Sequence, residues 1–492
     1  MAIESLANHL ERPLARGHTP VDAFTGAAGG AACGDLIRVS LALDGDDPTG
    51  AIVDAGFDAS GCGASIAAGS AVVSLIRGAP LLTAACVGVE EIAEELGGLS
   101  AAKRHAAELA ADALHRALGA AARTRAALAP VPGRTLVAMS GGVDSAVAAL
   151  LVVGEGEQAV GVTLELWSDP ENDGELSCCS AQAVRGAREL AHRMGMPHLS
   201  IDLRAEFRAG VVEPWLADHA RGLTPNPCVR CNGSVRLDAM LELADSLGAQ
   251  ALATGHYARV HIDERDEDSL RAGPVLRAAV DETKDQSYML AALAPTSLAR
   301  LRFPLGGLRK TEVRAHAERA GLSVARKPDS QDLCFLAGTG RARFLAHHGG
   351  LQQRPGAILD RSGAQRGVHP GHHGYTVGQR RGLGIGGTGD PLYVLSTDAA
   401  ANTVTVGTRE QLRTSTVEVR DVVLHRPGAS VDHVRLRYRG RAQPCRAPAA
   451  LDAGAHARVR LELLEPTARA APGQLACLMS GELLVGHGTV AV

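Results

Sequence analysis

One segment, residues 134–152, limits what this chain can fold into more than any other. Its sequence, RTLVAMSGGVDSAVAALLV, predicts a buried strand, a glycine-containing turn and a helix. A second apolar run, AVGVTLELW, follows at 159–167 and completes the β–α–β order typical of a parallel sheet. We therefore expect a doubly wound α/β domain, with helices on both faces of the sheet.

The residues on either side of this unit predict further domains. An alanine-rich helical pattern ends at the segment APVPG, where two prolines and a glycine stop the helix. Beyond about residue 350, short β-rich runs alternate with turns of glycine, proline and aspartate, which indicates small β-barrels. The predicted order is an α+β domain at 1–128, a linker at 129–133, the α/β domain at 134–345, a central β-rich domain at 346–412 and a C-terminal β-barrel domain at 413–492.

Composition excludes several classes of protein. Of the 492 residues, 46% are hydrophobic and 21% are charged, which is typical of folded proteins and unlike disordered ones. No run approaches the roughly 18 uncharged apolar residues of a membrane span, and the N-terminal segment has no apolar signal core. We therefore expect a cytoplasmic protein with no membrane partner.

Two residue types stand out in the sequence. Only four of its 50 basic residues are lysines, at 103, 284, 310 and 327, so a lysine that is retained is more informative than an arginine. Ten cysteines in a chain without secretory features favour metal or sulfur chemistry over structural disulfides. The net charge is −4, but the C-terminal part is basic, which permits a polyanionic partner there.

The turn Ser140–Ser145, SGGVDS, has the features of a phosphate-binding loop. Its small residues let backbone N–H groups approach a phosphate, and the following helix adds partial positive charge. The loop lacks the Gly-Lys-Ser/Thr ending of a Walker A motif and resembles the PP-loop ATP pyrophosphatases, which adenylate a carbonyl oxygen. The resemblance implies ATP with Mg²⁺, bound by Ala138, Met139, Ser140, Gly141, Gly142, Val143, Asp144, Ser145, Leu164 and Gly255.

Five further motifs make the resemblance more specific. They are TPNPCVRCN at 224–232, ATGHYAR at 253–259, KDQSY at 284–288, DSQDLCF at 329–335 and GHHGYTVGQRRGLG at 371–384. In this order they resemble the tRNA 2-thiouridylase family over about residues 133–492. The resemblance implies ATP-dependent 2-thiolation of the wobble uridine of tRNA through an adenylated intermediate.

Thiolation needs low-valent sulfur as well as ATP, and two cysteines suit that step. By resemblance, Cys334 carries a persulfide, and Cys231 is the nucleophile that later forms a disulfide with it. Many family members have aspartate where this chain has Cys228. Cys228, Cys231 and Cys334 could instead hold an iron–sulfur cluster that supplies the sulfur, and zinc is compatible with the same ligands. These alternatives stay open at the level of sequence.

The same resemblance implies that tRNA is the partner, with no role for DNA. A cysteine desulfurase or another sulfur donor is the second expected partner. Stacking and phosphate contacts explain the residue types that match family positions near RNA. The residues expected to contact tRNA or its target base are Asn226, Pro227, Cys228, His256, Lys284, Asp285, Gln286, Gln379, Arg437 and Tyr438.

The first 125 residues or so are similar to the IscU/NifU scaffolds on which iron–sulfur clusters are assembled. Cys33, Asp35, Cys62 and His105 match metal-binding positions, and they suit zinc or a weakly held cluster. Alanine, at position 106, stands where these scaffolds have a third cysteine, so a docking domain is an equal alternative.

Three other cysteines have less specific surroundings. Cys86 follows an apolar helical pattern and is predicted to lie in the core, whereas Cys178 and Cys179 are predicted to lie in a polar loop. Two alternative functions remain for the whole chain. One is an iron–sulfur scaffold or carrier with an inactive thiolase-like part, and the other is a PP-loop enzyme that acts on a small molecule.

Overall fold

The structure is a computed structural model that describes residues 6–30, 34–168, 180–264, 267–329, 333–336, 338–386 and 390–492. Cys33, Cys178 and Cys179 lie outside these residues. Within the described ranges, no helix has both the length and the apolar composition to cross a membrane.

The first domain packs five helices against a three-stranded antiparallel sheet in the order β1-β2-β3. Alternate residues of the central strand are buried, so one face of the sheet faces the helices. The helices are α1 (Leu6–Glu11), α2 (Gly63–Ile76), α3 (Leu81–Ala84), α4 (Val89–Glu95) and α5 (Ala101–Thr124), and the strands are β1 (Phe24–Gly29), β2 (Leu36–Leu43) and β3 (Ile52–Ser60). This is the predicted α+β domain.

The second domain contains the predicted parallel sheet, with five strands in the order β10-β7-β4-β5-β6. Its strands are β4 (Arg134–Ala138), β5 (Gln158–Glu165), β6 (His198–Asp202), β7 (Ala251–Ala253) and β10 (Leu301–Arg302). Its helices are α6 (Val143–Gly154), α7 (Ala181–Arg193), α8 (Arg204–Phe207), α9 (Glu213–Ala220), α10 (Pro227–Arg230), α11 (Leu237–Ser246), α12 (Glu267–Ala272), α13 (Pro295–Leu298), α14 (Lys310–Arg319) and α15 (Arg341–Gly349). Strand order reverses beside β4, where a doubly wound sheet usually binds its ligand.

The remaining strands form a small sheet and a barrel. β11 (Gly356–Asp360), β12 (Gln365–His369), β13 (Tyr393–Asp398) and β14 (Thr403–Gly407) make a four-stranded sheet. Pairing of the first and last strands closes a six-stranded barrel, and β8 (Arg259–His261) and β9 (Val275–Arg277) extend it from the second domain. The barrel strands are β15 (Arg413–Leu424), β16 (His433–Arg435), β17 (Gln443–Arg446), β18 (Gly454–Ala468), β19 (Leu475–Ser480) and β20 (Leu483–Val490). The predicted fold class is confirmed.

Helix α5 joins the first domain to the second. Buried apolar residues of both domains form one continuous core around it. On its far side it lies against β6, the edge strand of the parallel sheet, and Gly119 makes the close approach. A β-carbon at Gly119 would overlap the carbonyl oxygen of Ser200. The helix therefore covers a strand edge that would otherwise be open to pairing.

Ion pairs fix the same interface. The buried carboxylate of Asp112 on α5 accepts hydrogen bonds from Arg185 (2.8 Å) and Arg188 (2.9 Å) on α7. Arg116 donates two hydrogen bonds to Glu165 at the end of β5, at 2.8 and 2.9 Å, and a third to the carbonyl of Ala27 in β1. The first domain is thus bound to the carboxyl edge of the sheet.

The predicted core position of Cys86 is wrong, because its side chain is exposed. The apolar pattern around it is divided between α3 and α4, and the backbone turn between these helices directs Cys86 outward. A single helical period therefore does not run through this segment.

We expect the Gly119→Ala substitution to lower the free energy of unfolding by about 1–3 kcal/mol, because the added methyl group meets backbone in the interface. Gly186→Ala is the matched control, since that glycine also lies in a helix and a β-carbon there meets nothing within 4 Å. Urea unfolding should show the control unchanged or more stable by up to about 1 kcal/mol. Equal stability of both variants would contradict the tight contact.

Candidate active site

The predicted phosphate-binding loop lies where β4 ends and α6 begins, at the carboxyl edge of the parallel sheet. Gly141 has a φ of +67°, a left-handed conformation that glycine adopts without strain. A β-carbon there would lie 2.8 Å from the carbonyl oxygen of Ala183, at the start of α7. The loop is therefore shaped by its glycine and by the helix beside it.

Two serines hold the loop closed on itself. The hydroxyl of Ser145 accepts a hydrogen bond from the backbone N–H of Ser140 and donates one to the carbonyl of Gly142, both at 3.1 Å. Its oxygen also lies 3.2 Å from the Ser140 hydroxyl oxygen. These contacts involve both serines of the SGGVDS motif and stabilise a loop conformation set by local sequence.

Gly255, which follows β7, lies against the first turn of α6. A β-carbon at this position would be 2.7 Å from the backbone nitrogen of Ser145. The structure therefore brings together two of the predicted ATP-binding segments that are about a hundred residues apart. Leu164, the third, lies in β5 on the other side of β4.

Asp144 in the loop has two partners that sequence analysis did not single out for it. Lys310, the first residue of α14, donates to both oxygens of the Asp144 carboxylate, at 2.7 and 2.8 Å. The hydroxyl of Tyr257 donates to the same carboxylate at 2.9 Å. Burial and the Asp144 charge raise the pKa of Tyr257, so it remains a neutral donor.

Three basic side chains contact Asp329, which shares Lys310 with Asp144. Its carboxylate lies 2.7 Å from Nζ of Lys284, 2.9 Å from Nζ of Lys310 and 3.0 Å from the guanidinium of Arg314. Burial acts to raise the pKa of Asp329, but the hydrogen bonds from the two lysines outweigh it and lower the pKa to about 2. Lys284, predicted to contact tRNA, is therefore engaged within the protein.

Lys327 contacts the loop directly, since its ammonium group donates a hydrogen bond of 2.9 Å to the carbonyl of Gly141. Two of the four lysines in the chain thus contact the loop, and Lys284 is linked to it through Asp329 and Lys310. The fourth, Lys103, is exposed on α5. The low lysine content noted in the sequence was a signal for this site, but it could not show that Lys310 and Lys327 meet there.

The cysteine motif PCVRC forms α10 and the π-helical segment that follows it. The side chain of Asn226 accepts a hydrogen bond from the backbone N–H of Cys228 at 3.1 Å and caps this short helix. Cys231, 8% exposed, begins the π-helical segment Cys231–Arg236. Single π-helical turns are frequent at functional sites.

Cys334 is brought near this motif by its neighbour Phe335. The Phe335 ring packs against Phe207, at 5.9 Å between centroids, and against Trp215 at 5.3 Å. The π-helical segment that contains Cys231 packs against the same α8 region. Cys231 is a buried member of the extended core of the first two domains, Cys334 is partly buried against that core, and neither forms a disulfide.

Cys228 is half-buried, and burial raises the pKa of its thiol against the opposing charge of Arg236. A protonated thiol is a poor nucleophile. No group of three or more His, Cys, Asp and Glu side chains is arranged to hold a metal ion among the residues that the structure describes. The three cysteines as placed therefore do not fit a cluster site.

Several predicted RNA-contacting residues are used inside the protein. Asp285 accepts hydrogen bonds from Ser287 and Arg435, and the side-chain oxygen of Gln286 accepts one from the backbone N–H of Tyr257. The ring of His256 is buried, with Nδ1 2.9 Å from the hydroxyl oxygen of Thr254. Burial, with a contribution from Arg236, lowers the pKa of His256 to about 3 and keeps it neutral.

The three C-terminal residues predicted to touch tRNA lie at the junction with the barrel. Arg437 is exposed, and a β-carbon on Gly378 would lie 3.0 Å from its guanidinium, so Gln379 and Arg437 belong to one surface. Tyr438 packs on Tyr288 with ring centroids 6.2 Å apart. This surface combines an exposed cation with an aromatic ring, as RNA-binding surfaces often do.

Two of the residues predicted to bind a metal in the first domain, Asp35 and Cys62, contact each other. Asp35 accepts hydrogen bonds from the backbone N–H (2.8 Å) and the thiol (3.3 Å) of Cys62, and the first of these is the main cause of its lowered pKa. His105 lies close enough to lower that pKa further. Ala106, at the position of the third scaffold cysteine, is buried in the core. Cys33 lies outside the described residues.

Family models match the chain in three consecutive parts. They are a NifU-like N terminal domain over residues 3–126, a tRNA methyl transferase HUP domain over 133–338 and a tRNA methyl transferase PRC-barrel domain over 342–408. Fold and loop together thus define a nucleotide-binding α/β protein of the PP-loop class with a NifU-like domain in front of it.

Relatives narrow this class to one family. The bifunctional protein NifU/MnmA of Rubrobacter xylanophilus is 41% identical over 98% of this chain and 97% of its own length. The tRNA-specific 2-thiouridylases MnmA of Acidithiobacillus ferrooxidans and Thermobifida fusca are 42% identical over 73% of this chain, and over 98% and 95% of their own. The chain belongs to the bifunctional NifU/MnmA family.

We expect the Gly255→Ala substitution to weaken ATP binding at least tenfold, because the methyl group displaces the first turn of α6. Gly154→Ala is the control, since its β-carbon would meet nothing within 4 Å at the other end of the same helix. Calorimetric titration with ATP measures the difference. Unchanged affinity in a folded Gly255→Ala protein would contradict the role of this contact.

The Asp329 ion pairs should make stability depend on acid pH. The folded pKa of about 2 lies below the ordinary 3.8, so the stabilisation, on the order of 2 kcal/mol, is complete above pH 4 to 5 and is lost as pH falls towards 2. Urea unfolding of wild type and Asp329→Asn at a series of pH values measures it. A difference that stays constant down to pH 3 would be inconsistent with a depressed pKa.

Proposed function

We propose that this chain transfers sulfur to C2 of the wobble uridine of tRNA in a reaction driven by ATP. Its match to a bifunctional NifU/MnmA protein over almost its whole length carries the proposal. The geometry of the loop supports the proposal, because its backbone conformation and its glycines at the carboxyl edge of the sheet suit the binding of a phosphate. An enzyme that acts on a small molecule would have no use for the domain at residues 342–408, which matches a tRNA methyl transferase PRC-barrel domain.

In the first step the uridine O2 attacks the α-phosphorus of ATP, which enters with Mg²⁺. The bond between the α-phosphorus and the bridging oxygen breaks, and pyrophosphate leaves with the electron pair. Residues Ser140–Ser145 are proposed to hold the phosphates through backbone N–H groups. Adenylation makes O2 a leaving group, which the carbonyl oxygen of uridine is not.

In the second step the terminal sulfur of a Cys334 persulfide attacks C2, and AMP leaves with the former O2. The Cys231 thiolate then attacks Sγ of Cys334, so a Cys231–Cys334 disulfide forms and the transferred sulfur remains on C2. The disulfide is reduced by an external thiol before the next cycle. A cysteine desulfurase or an equivalent donor reloads Cys334 with sulfur. The packing of both the Cys231 segment and Phe335, the neighbour of Cys334, against α8 supports this route.

No step is proposed through an iron–sulfur cluster or zinc. Cys228, Cys231 and Cys334 do not form a metal-binding group within the described residues. Cys228 is therefore proposed to lie in the base-binding loop with Asn226 and Pro227 but to take no chemical part in sulfur transfer. In the first domain, loss of the third cysteine favours docking over cluster assembly.

We expect Cys334→Ser and Cys231→Ser each to reduce 2-thiouridine formation by at least a hundredfold, because each removes a thiol that the transfer requires. Cys86→Ser is the matched control, since that thiol is exposed and far along the chain from the site. Mass spectrometry of nucleosides from tRNA incubated with ATP and a sulfur donor gives the readout. Full activity of Cys334→Ser would overturn the persulfide route.

Iron and acid-labile sulfide analysis after anaerobic purification separates the two sulfur routes. The proposal expects an iron-free protein that thiolates tRNA, and a Cys228→Ala variant that retains most of this activity. About four irons per chain that disappear together with activity in Cys228→Ala would replace the persulfide route by a cluster.

A further inference from the structure

Lysine is rare in this chain, and its distribution in the structure is uneven. Four lysines stand among 50 basic residues; Lys310 and Lys327 come from separate segments to one loop, and Lys284 contacts Asp329, which also binds Lys310. Arginine serves the other ion pairs of the interior, such as those of Asp112 and Glu165. Lysine offers a compact point charge where arginine offers a planar fork, so the two are not interchangeable at a phosphate.

The contact of Lys327 is with the phosphate-binding loop itself. Its Nζ donates to the carbonyl oxygen of Gly141 at 2.9 Å, and its side chain is exposed. The ammonium therefore lies at the mouth of the loop, and only one of its three N–H groups is accounted for by this bond. An anion in the loop would be within reach of the remaining donors.

Lys310 lies deeper, on the other side of Asp144. Its side chain is 11% exposed, and it is shared between the carboxylates of Asp144 and Asp329. It is the N-terminal residue of the ten-residue helix α14, and its backbone N–H donates to Asp281. The ammonium of Lys310 thus lies directly against the first turn of α6.

The charges around the loop leave a positive excess. Three lysines and Arg314 face Asp144, Asp329 and Asp281 in this region. The surplus among these seven groups is one positive charge, and it favours an anion over a neutral ligand. A triphosphate that gains charge as it is cleaved fits this excess.

We propose that Lys327 and Lys310 bind the triphosphate of ATP and stabilise the pyrophosphate that leaves when the uridine is adenylated. The inference rests on the proposed function. When the bond from the α-phosphorus to the bridging oxygen breaks, the electron pair stays on pyrophosphate and its negative charge increases. Lys327 stabilises this negative charge from its position at Gly141, and Lys310 does so from its position at the first turn of α6. Asp329 is a positioning residue that holds Lys310 and Lys284 in place.

The test compares the full-length wild type with Lys327→Met, which removes the charge and keeps an unbranched side chain. We expect pyrophosphate release in the presence of ATP and tRNA to slow by about 100- to 1,000-fold, the range for loss of one charge-stabilising donor. Lys327→Arg should recover part of the rate. Lys103→Met is the control, because that lysine is exposed on α5 away from the loop, and its rate should equal that of wild type.

Binding measurements separate failure of this inference from failure of the proposed function. Calorimetric titration with inorganic pyrophosphate needs no tRNA, and Lys327→Met should weaken it at least tenfold while tRNA affinity stays within twofold. Lys310→Met should also weaken pyrophosphate binding. Because Lys310 is largely buried, its variant could fail to fold, and in that case the result for Lys327→Met alone tests the inference. Wild-type pyrophosphate release by Lys327→Met, or a loss of tRNA affinity in place of pyrophosphate affinity, would overturn the inference. A wild type that binds pyrophosphate but never thiolates tRNA would refute only the proposed function.

Discussion

The packing of α5 against strand β6 is the contact on which the arrangement of this chain depends. One side of the helix completes the core of the NifU-like domain, and the other covers the edge of the parallel sheet. Asp112 lies buried between Arg185 and Arg188, and breaking such a pair leaves uncompensated charge in the interior. Because α7 carries both arginines and also touches Gly141, the same helix supports the interface and the phosphate-binding loop.

Local sequence was sufficient to predict the loop. Ser140, Gly142 and Ser145 of SGGVDS hydrogen-bond to one another within six residues, so the pattern itself contains the contacts that close the loop. The lysines around it could not be assigned this way. Lys310 starts a helix more than 160 residues after Asp144, and Lys327 approaches Gly141 from a different segment, so only the tertiary fold shows that they meet.

The core position predicted for Cys86 is wrong for a local reason. The apolar pattern around it is divided between α3 and α4, so no single helix runs through the segment and the side chain is exposed. His256, predicted to contact tRNA, is buried with its ring next to the hydroxyl of Thr254, and its neighbours in sequence do not reveal this burial. Lys284, Asp285 and Gln286 illustrate the same limit, since polar residue types suited to RNA also suit internal hydrogen bonds.

Because α5 packs on the edge of β6 within one chain, the number of NifU-like domains always equals the number of nucleotide-binding loops. The thiouridylases that match 73% of this chain at 95–98% of their own length have no counterpart to its first quarter in these alignments. A separate carrier would meet such an enzyme by diffusion, at a frequency that depends on how much of each the cell makes. Here α5 attaches the domain that contains Asp35 and Cys62 to the domain that contains the nucleotide loop. Each loop is therefore accompanied by one Asp35–Cys62 pair at any dilution.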